Sequence, residues 1–293
     1  MLTKVVETNV GPVEYSESGA GEPILYFHGT GITGDAMIPI ESPLVDDGFR
    51  LIVPNRPGYG KTPLLSRTSA IDCSNVATAL LDVLAIERVS VMGSSGGGAF
   101  ALSFAVTHPS RTKSLSLLCP QLHRWNHKDW LPATSKWTLP FLKRRFLRKL
   151  LVKAYRFHLP RMGVTQFLKT EAGDRFSDVA DDLAAQEICE LTLAAMRKGV
   201  GFPGFENDLL VFTNEDIIEE NPSFQVPTML IHDVCDPLAP VNHVDWFVSL
   251  VPECERVTVH AAGHLIWVGR EADIMHESRV RFLNTHTGTK TVE

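Results

Sequence analysis

The chain has 293 residues, 44% of them hydrophobic, and a formal net charge of −6. That length and apolar content bury a large core, while the mild acidity speaks against a nucleic-acid surface. No apolar run is long enough to span a bilayer, the N-terminus lacks the apolar core of a signal peptide, and Cys73, Cys119, Cys189, Cys235 and Cys254 stand apart without CxxC spacing, as reduced thiols of a cytoplasmic protein do.

Residues 2–18 alternate around Asn9-Val10-Gly11-Pro12 and read as an edge hairpin. Pro23–Phe27 is a continuous apolar run of buried-strand type that breaks at His28-Gly29-Thr30-Gly31. Phe49–Pro54 is a second, breaking at Asn55-Arg56-Pro57-Gly58-Tyr59-Gly60, with room for a short helix over Ala36–Asp47 between them. Helical spacing of Ile71, Val76, Ala77, Leu80, Leu81 and Leu84 predicts a helix over 69–86. Next comes a strand from Val89, a glycine-rich turn around Ser95, a buried helix over Ala99–Val106 and a strand over Leu115–Leu118. Apolar strands alternating with helices point to a parallel, doubly wound sheet covered on both faces.

From about residue 120 to 222 the alternation stops. This stretch holds Trp125, Trp130 and Trp137, a basic amphipathic run from Leu142 to Lys153, and an acidic helical run from Asp178 to Glu190. It is too long for a plain loop and reads as a helical cap inserted over the C-terminal edge of the sheet. The pattern then resumes: a strand over Val226–Ile231, a helix over Val241–Leu250, a strand over Arg256–His260 and a closing helix from Arg270 to Asn284. The expected organisation is therefore a core in two parts, 1–119 and 223–293, around a cap at 120–222. The basic run reads first as a core-facing stripe with a solvated outer face, with a membrane-surface or anionic-substrate role as its alternative.

Gly93-x-Ser95-x-Gly97 between a strand and a helix is the pattern of a nucleophile elbow, in which the flanking glycines admit neighbouring backbone. A serine hydroxyl needs a base, and the base needs an acid to fix its tautomer. Two candidates lie past later strand ends: Asp236 in Asp236-Pro237-Leu238 and His264 in Gly263-His264. The order Ser, Asp, His, together with His28-Gly29, Arg56-Pro57-Gly58-Tyr59-Gly60 and the loop from His232 to Pro240, resembles the α/β-hydrolase family over the length of the sheet domain.

The resemblance implies Ser95 as nucleophile, His264 as base and Asp236 as orienting acid. It also implies an oxyanion hole from the backbone N–H groups of Gly96 and Thr30. Gly31, Ser94 and Trp267 are the candidate substrate contacts. Two departures stand out: Asn55 occupies a loop-bracing position that more often holds Asp, and Asp233 follows His232 where Gly is common. Asp236 is preferred over Asp233 because its Asp-Pro-Leu context matches and Asp233 lies close to the strand end. His28 reads as a brace for the oxyanion loop, Cys235 as an inert thiol, and the tryptophans as packing or acyl-pocket residues. His123 and His127, at i, i+4, lack a third ligand, so no metal site is expected.

The implied activity is cofactor-independent hydrolysis of a small carboxylic ester, thioester or lactone through an acyl-enzyme. Serine at the elbow argues against the dehalogenases and epoxide hydrolases of this fold, which place aspartate there. Hydrolysis of a C–C bond, an amide or a peptide N-terminus would use the same triad, and a non-catalytic ligand receptor is a third reading. A small-molecule substrate is the expected partner, with no nucleic acid and no integral membrane association.

Overall fold

The computed structural model describes the chain except for residues 65–67, 126–141, 217–223 and 288–293. Trp130, Trp137 and His127 therefore lie outside the described residues. The chain opens with an antiparallel hairpin, β1 (Leu2–Thr8) and β2 (Gly11–Ser18), whose outer strand is largely exposed. Then come β3 (Glu22–Phe27), β4 (Phe49–Pro54), β5 (Val89–Ser94), β6 (Thr112–Leu118), β7 (Thr228–Asp233) and β8 (Glu255–Val259). The eight strands form one sheet in the order β1-β2-β4-β3-β5-β6-β7-β8, parallel from β4 to β8.

Helices cover both faces, and the strands bury alternate residues against each. Leu25, Phe27, Val89, Val91 and Leu230 pack with α3 (Ala70–Val83), α4 (Gly97–Thr107) and α10 (Val241–Leu250). Ile24, Tyr26, Met92, Met229 and Ile231 pack with α1 (Gly34–Ile40), α2 (Ser42–Asp46) and α11 (Ala272–Thr287). The single helix expected over Ala36–Asp47 is two helices. Glu41 leaves helical geometry between them, and Pro43 starts the second within its first turn, where its missing N–H costs nothing.

Glu41 has a packing reason to be where it is. Fully buried, it accepts from Tyr26 Oη at 2.7 Å and Trp267 Nε1 at 2.8 Å and pairs with the buried Arg279. A buried carboxylate persists only with such compensation. Asn55 braces its loop by a comparable device, its Nδ2 donating to Glu14 and its Oδ1 accepting from Gly34 N–H.

Between β6 and β7 the α-helices among the described residues are α5 (Arg145–His158), α6 (Val164–Ala172), α7 (Phe176–Val179), α8 (Leu183–Lys198) and α9 (Phe202–Asn214), and no strand lies among those residues. They pack partly on one another, through Phe167, Leu168, Cys189 and Leu193, and partly on Ala262 and Leu265 beyond β8. Parallel strands bring their C-terminal ends to one edge, and the loops leaving β3, β5, β7 and β8 meet there under these helices.

Candidate active site

Ser95 follows β5 at φ +52°, a left-handed conformation that costs a non-glycine residue about 1–3 kcal/mol and persists only where the surroundings enforce it. The enforcement is visible. Ser95 N–H donates to Leu118 O at 2.9 Å, and Ser95 O accepts from the N–H groups of Gly98 and Gln121. The helix that follows is pressed onto the sheet: a Cβ on Gly97 would lie 2.1 Å from Phe27 O, and one on Gly93 would lie 2.6 Å from Gly97 O.

His264 lies past β8, in the turn after Gly263. Its Nδ1 is 2.7 Å from Asp236 Oδ2, and its backbone N–H donates to Glu171 O at the end of α6. Asp236 Oδ1 accepts from the N–H groups of Leu238 and Ala239 at 2.7 and 2.8 Å. Burial opposes ionisation of Asp236, but His264 and these backbone donors outweigh it and hold the carboxyl below its ordinary range. Burial likewise opposes a charged His264, and Asp236 with Glu171 overcomes it, pushing the imidazole up to about 9. Asp233 is turned elsewhere, to the N–H groups of Cys235 and Gly263. Geometry thus pairs His264 with Asp236, not Asp233.

Ser95 and His264 line one cavity of about 330 Å³ between the sheet edge and the inserted helices. No hydrogen bond joins Ser95 Oγ to the imidazole among the described residues. The structure therefore couples two of the three expected side chains directly and places the third on the wall of the same cavity.

Gly96 is the N-cap residue of α4, and a Cβ there would meet Thr30 Oγ1 at 2.1 Å and Phe212 Cζ at 2.8 Å. The two residues expected to supply oxyanion donors therefore adjoin. Ser94 and Trp267 line the cavity, as does Trp125, whose Nε1 donates to Gln121. Gly31 does not line this cavity. Its N–H is committed to Tyr59 Oη and it packs on Met196 and Phe205, so its place is in anchoring the loop after β3. His28 is fully buried, its Nε2 accepting from Arg56 N–H, and burial beside the Arg56 guanidinium keeps it neutral.

Two residues of the insertion have no counterpart in the sequence reading. Asp208 on α9 accepts from Thr30 Oγ1 at 3.0 Å, from Tyr59 Oη at 2.7 Å and from Arg56 Nη2, tying that helix to the loop carrying Thr30. Its partners sit in a visible motif, but Asp208 itself is one acid in an ordinary helix. Glu171 faces the cavity beside His264, and burial pushes its carboxyl up to about 7. Only its chemistry in an apolar wall marks it out. The histidine pair considered as metal ligands splits: His123 stacks on His243 at 3.8 Å, and His127 is outside the described residues. Cys119, His232 and Asp236 cluster within 4.8 Å, but both Asp236 oxygens are already engaged.

Strand order and a strained serine at the strand edge define a class, and comparison with known proteins agrees. A family model described as alpha/beta hydrolase fold matches residues 22–268; the chain belongs to that family and is a hydrolase. It is 27% identical to the uncharacterized hydrolase YcgS of Bacillus subtilis over 278 residues, 89% of this chain and 91% of that protein. It is 32% identical to a 2-hydroxy-6-oxo-6-phenylhexa-2,4-dienoate hydrolase of Comamonas testosteroni, over 37% of this chain and only 40% of the relative's length. An alpha/beta hydrolase fold protein from Nakamurella multipartita superposes with a TM-score of 0.76 at 24% identity, covering 98% of this chain and all of that one, a likeness of fold. No helix among the described residues is long and apolar enough to cross a membrane.

Proposed function

We propose that the protein hydrolyses a small, uncharged carboxylic ester, thioester or lactone through an acyl-enzyme, with the inserted helices as a lid over the site. The observation that carries this reading is the His264–Asp236 pair opening onto the same cavity as a serine held at positive φ. Ser95 Oγ attacks the carbonyl carbon while His264 takes its proton. The oxyanion is held by the N–H groups of Gly96 and Thr30, and the helix dipole of α4 adds to the first. His264 then returns the proton to the departing alkoxide, and water repeats the sequence on the acyl-enzyme.

The cavity wall supports an uncharged acyl group. Leu151, Phe167, Ile188, Phe205 and Phe212 face it, no lysine or arginine lines it among the described residues, and Glu171 does. A carboxylate substrate, such as the dienoate named for the Comamonas relative, would enter with no lysine or arginine among the described residues to receive it. Glu171 gives specific support to one other reading, hydrolysis of an amide or aminoacyl group whose amine pairs with that carboxylate.

The deciding experiment compares nitrophenyl esters, a vinylogous diketone carboxylate and an aminoacyl amide, with fluorophosphonate labelling in parallel. Ester turnover and labelling lost in Ser95→Ala are expected. Amide turnover above ester turnover selects the second reading, and an unlabelled wild type overturns both in favour of a receptor.

A further inference from the structure

Helix α5 has two apolar faces. Its inner face is accounted for: Val152 is buried, Leu151 and Tyr155 line the cavity, and Tyr155 rests edge-on against Phe205 at 5.7 Å. Its outer face is not. Phe146 is 77% exposed, Leu150 56% and Phe157 56%. At 100° per residue, Phe146, Leu150, Lys153 and Phe157 fall within roughly 60° of arc, opposite the buried side. A surface helix normally turns charge outward there, and clustered exposed aromatics mark a contact surface.

The charge around this stripe is of one sign. From Leu142 to Thr170 the sequence has nine lysines and arginines and no aspartate or glutamate, in a chain of net charge −6. Lys143, Arg144, Arg145, Lys149, Lys153 and Arg156 are exposed, and none forms an ion pair among the described residues. Apolar side chains flanked by cations on one helix are the composition that seats a helix in the plane of an anionic bilayer, rings among the acyl chains and ammonium groups at the phosphates. The same charges disfavour a second copy of this chain, since a two-fold contact would oppose cation to cation. Nucleic acid would use the cations and stack bases on the phenylalanines, but it would leave Leu150 without a role.

We propose that the outer face of α5 docks on an anionic lipid surface, as a peripheral contact independent of the reaction beneath it. Its inner face walls the cavity, so docking leaves about one helix diameter, ~10 Å, between the bilayer and the space where substrate is held.

The test is co-sedimentation of the full chain with phosphatidylcholine vesicles, with and without phosphatidylglycerol. Binding is expected to the anionic vesicles, about tenfold weaker to neutral ones, and to fall as salt screens the charges. The triple variant Phe146→Ser/Leu150→Ser/Phe157→Ser should lose about tenfold in bound fraction while its circular dichroism and melting temperature stay as in wild type. Absence of binding to anionic vesicles overturns the proposal. So does equal binding to neutral ones, or anionic binding that the triple variant retains, since a bare polycation would bind any polyanion. A concentration-dependent dimer seen by light scattering without vesicle binding, and lost in the triple variant, assigns the face to a second copy and overturns it too.

Discussion

The sheet and the helices inserted into it shape one cavity by opposite means. On the sheet side, short loops at the strand ends hold Ser95, Gly96, Asp236 and His264 through backbone hydrogen bonds, with close backbone approach at the glycines beside Ser95 and His264. Little there can change without loss of geometry. On the insertion side, ordinary amphipathic helices supply apolar walls and two acids, Asp208 and Glu171. The contrast teaches that backbone is constrained where the proposed chemistry would occur, while the walls that would select a substrate are built from interchangeable side chains.

The sharpest way to break that division is at the nucleophile. Ser95→Ala and His264→Ala should each lower kcat for a nitrophenyl ester by roughly 10⁴-fold or more, with melting temperature near wild type; retained turnover would remove the sheet-edge triad from the account. Next is Asp208→Ala, which strands the buried Arg56 guanidinium. Breaking a buried pair from one side costs about 3–5 kcal/mol, read as a fall in the urea midpoint. Because Thr30 loses its anchor, kcat should fall with KM little changed. An effect on stability alone would leave Asp208 outside the oxyanion loop's function.

Gly96→Ala comes third. Its methyl group would collide with Thr30 Oγ1, and loss of one oxyanion donor corresponds to about 10²–10³ in kcat. Unchanged kcat would mean that the two residues do not share an oxyanion.

The smallest effect concerns pH. In the proposed reaction the neutral imidazole is the base, and its pKa is raised, so activity should be present above that pKa and lost as pH falls through it. With His264 at about 9, kcat/KM should still be rising between pH 7 and 9, where an unperturbed histidine would have levelled off. Glu171→Gln removes one of the two carboxylates favouring the imidazolium, so this limb should move to lower pH by roughly one unit, as followed in a pH–rate profile. An unmoved limb would assign the raised pKa to Asp236 alone.

Most of the sheet was legible because buried strands are written locally, as apolar runs that end in glycine and proline. The expected strands match β3 to β8 with ends displaced by a few residues, such as β7 starting at Thr228 rather than Val226. Elbow, acid and histidine were legible for a related reason: a tight turn admits few residue types, so its constraint shows in the text. The sequence preferred Asp236 over Asp233 on context; His264 Nδ1 bonds Asp236 while Asp233 turns to backbone N–H groups, directions that no sequence states. Gly31, expected as a substrate contact, gives its N–H to Tyr59 Oη and lies outside the cavity's lining, a direction that the sequence does not state.

The sequence alone determined the class of fold and the short list of chemically able residues, because both depend on spacing along the chain and on backbone conformations that only certain residues tolerate. Tertiary structure alone decided the partners separated by more than ninety positions: Asp208 with Thr30, Glu41 with Arg279, and Glu171 beside His264. Such pairs leave no periodicity, since a helix forms equally well whichever acid it carries. Their energies arise only when folding removes water from around both groups.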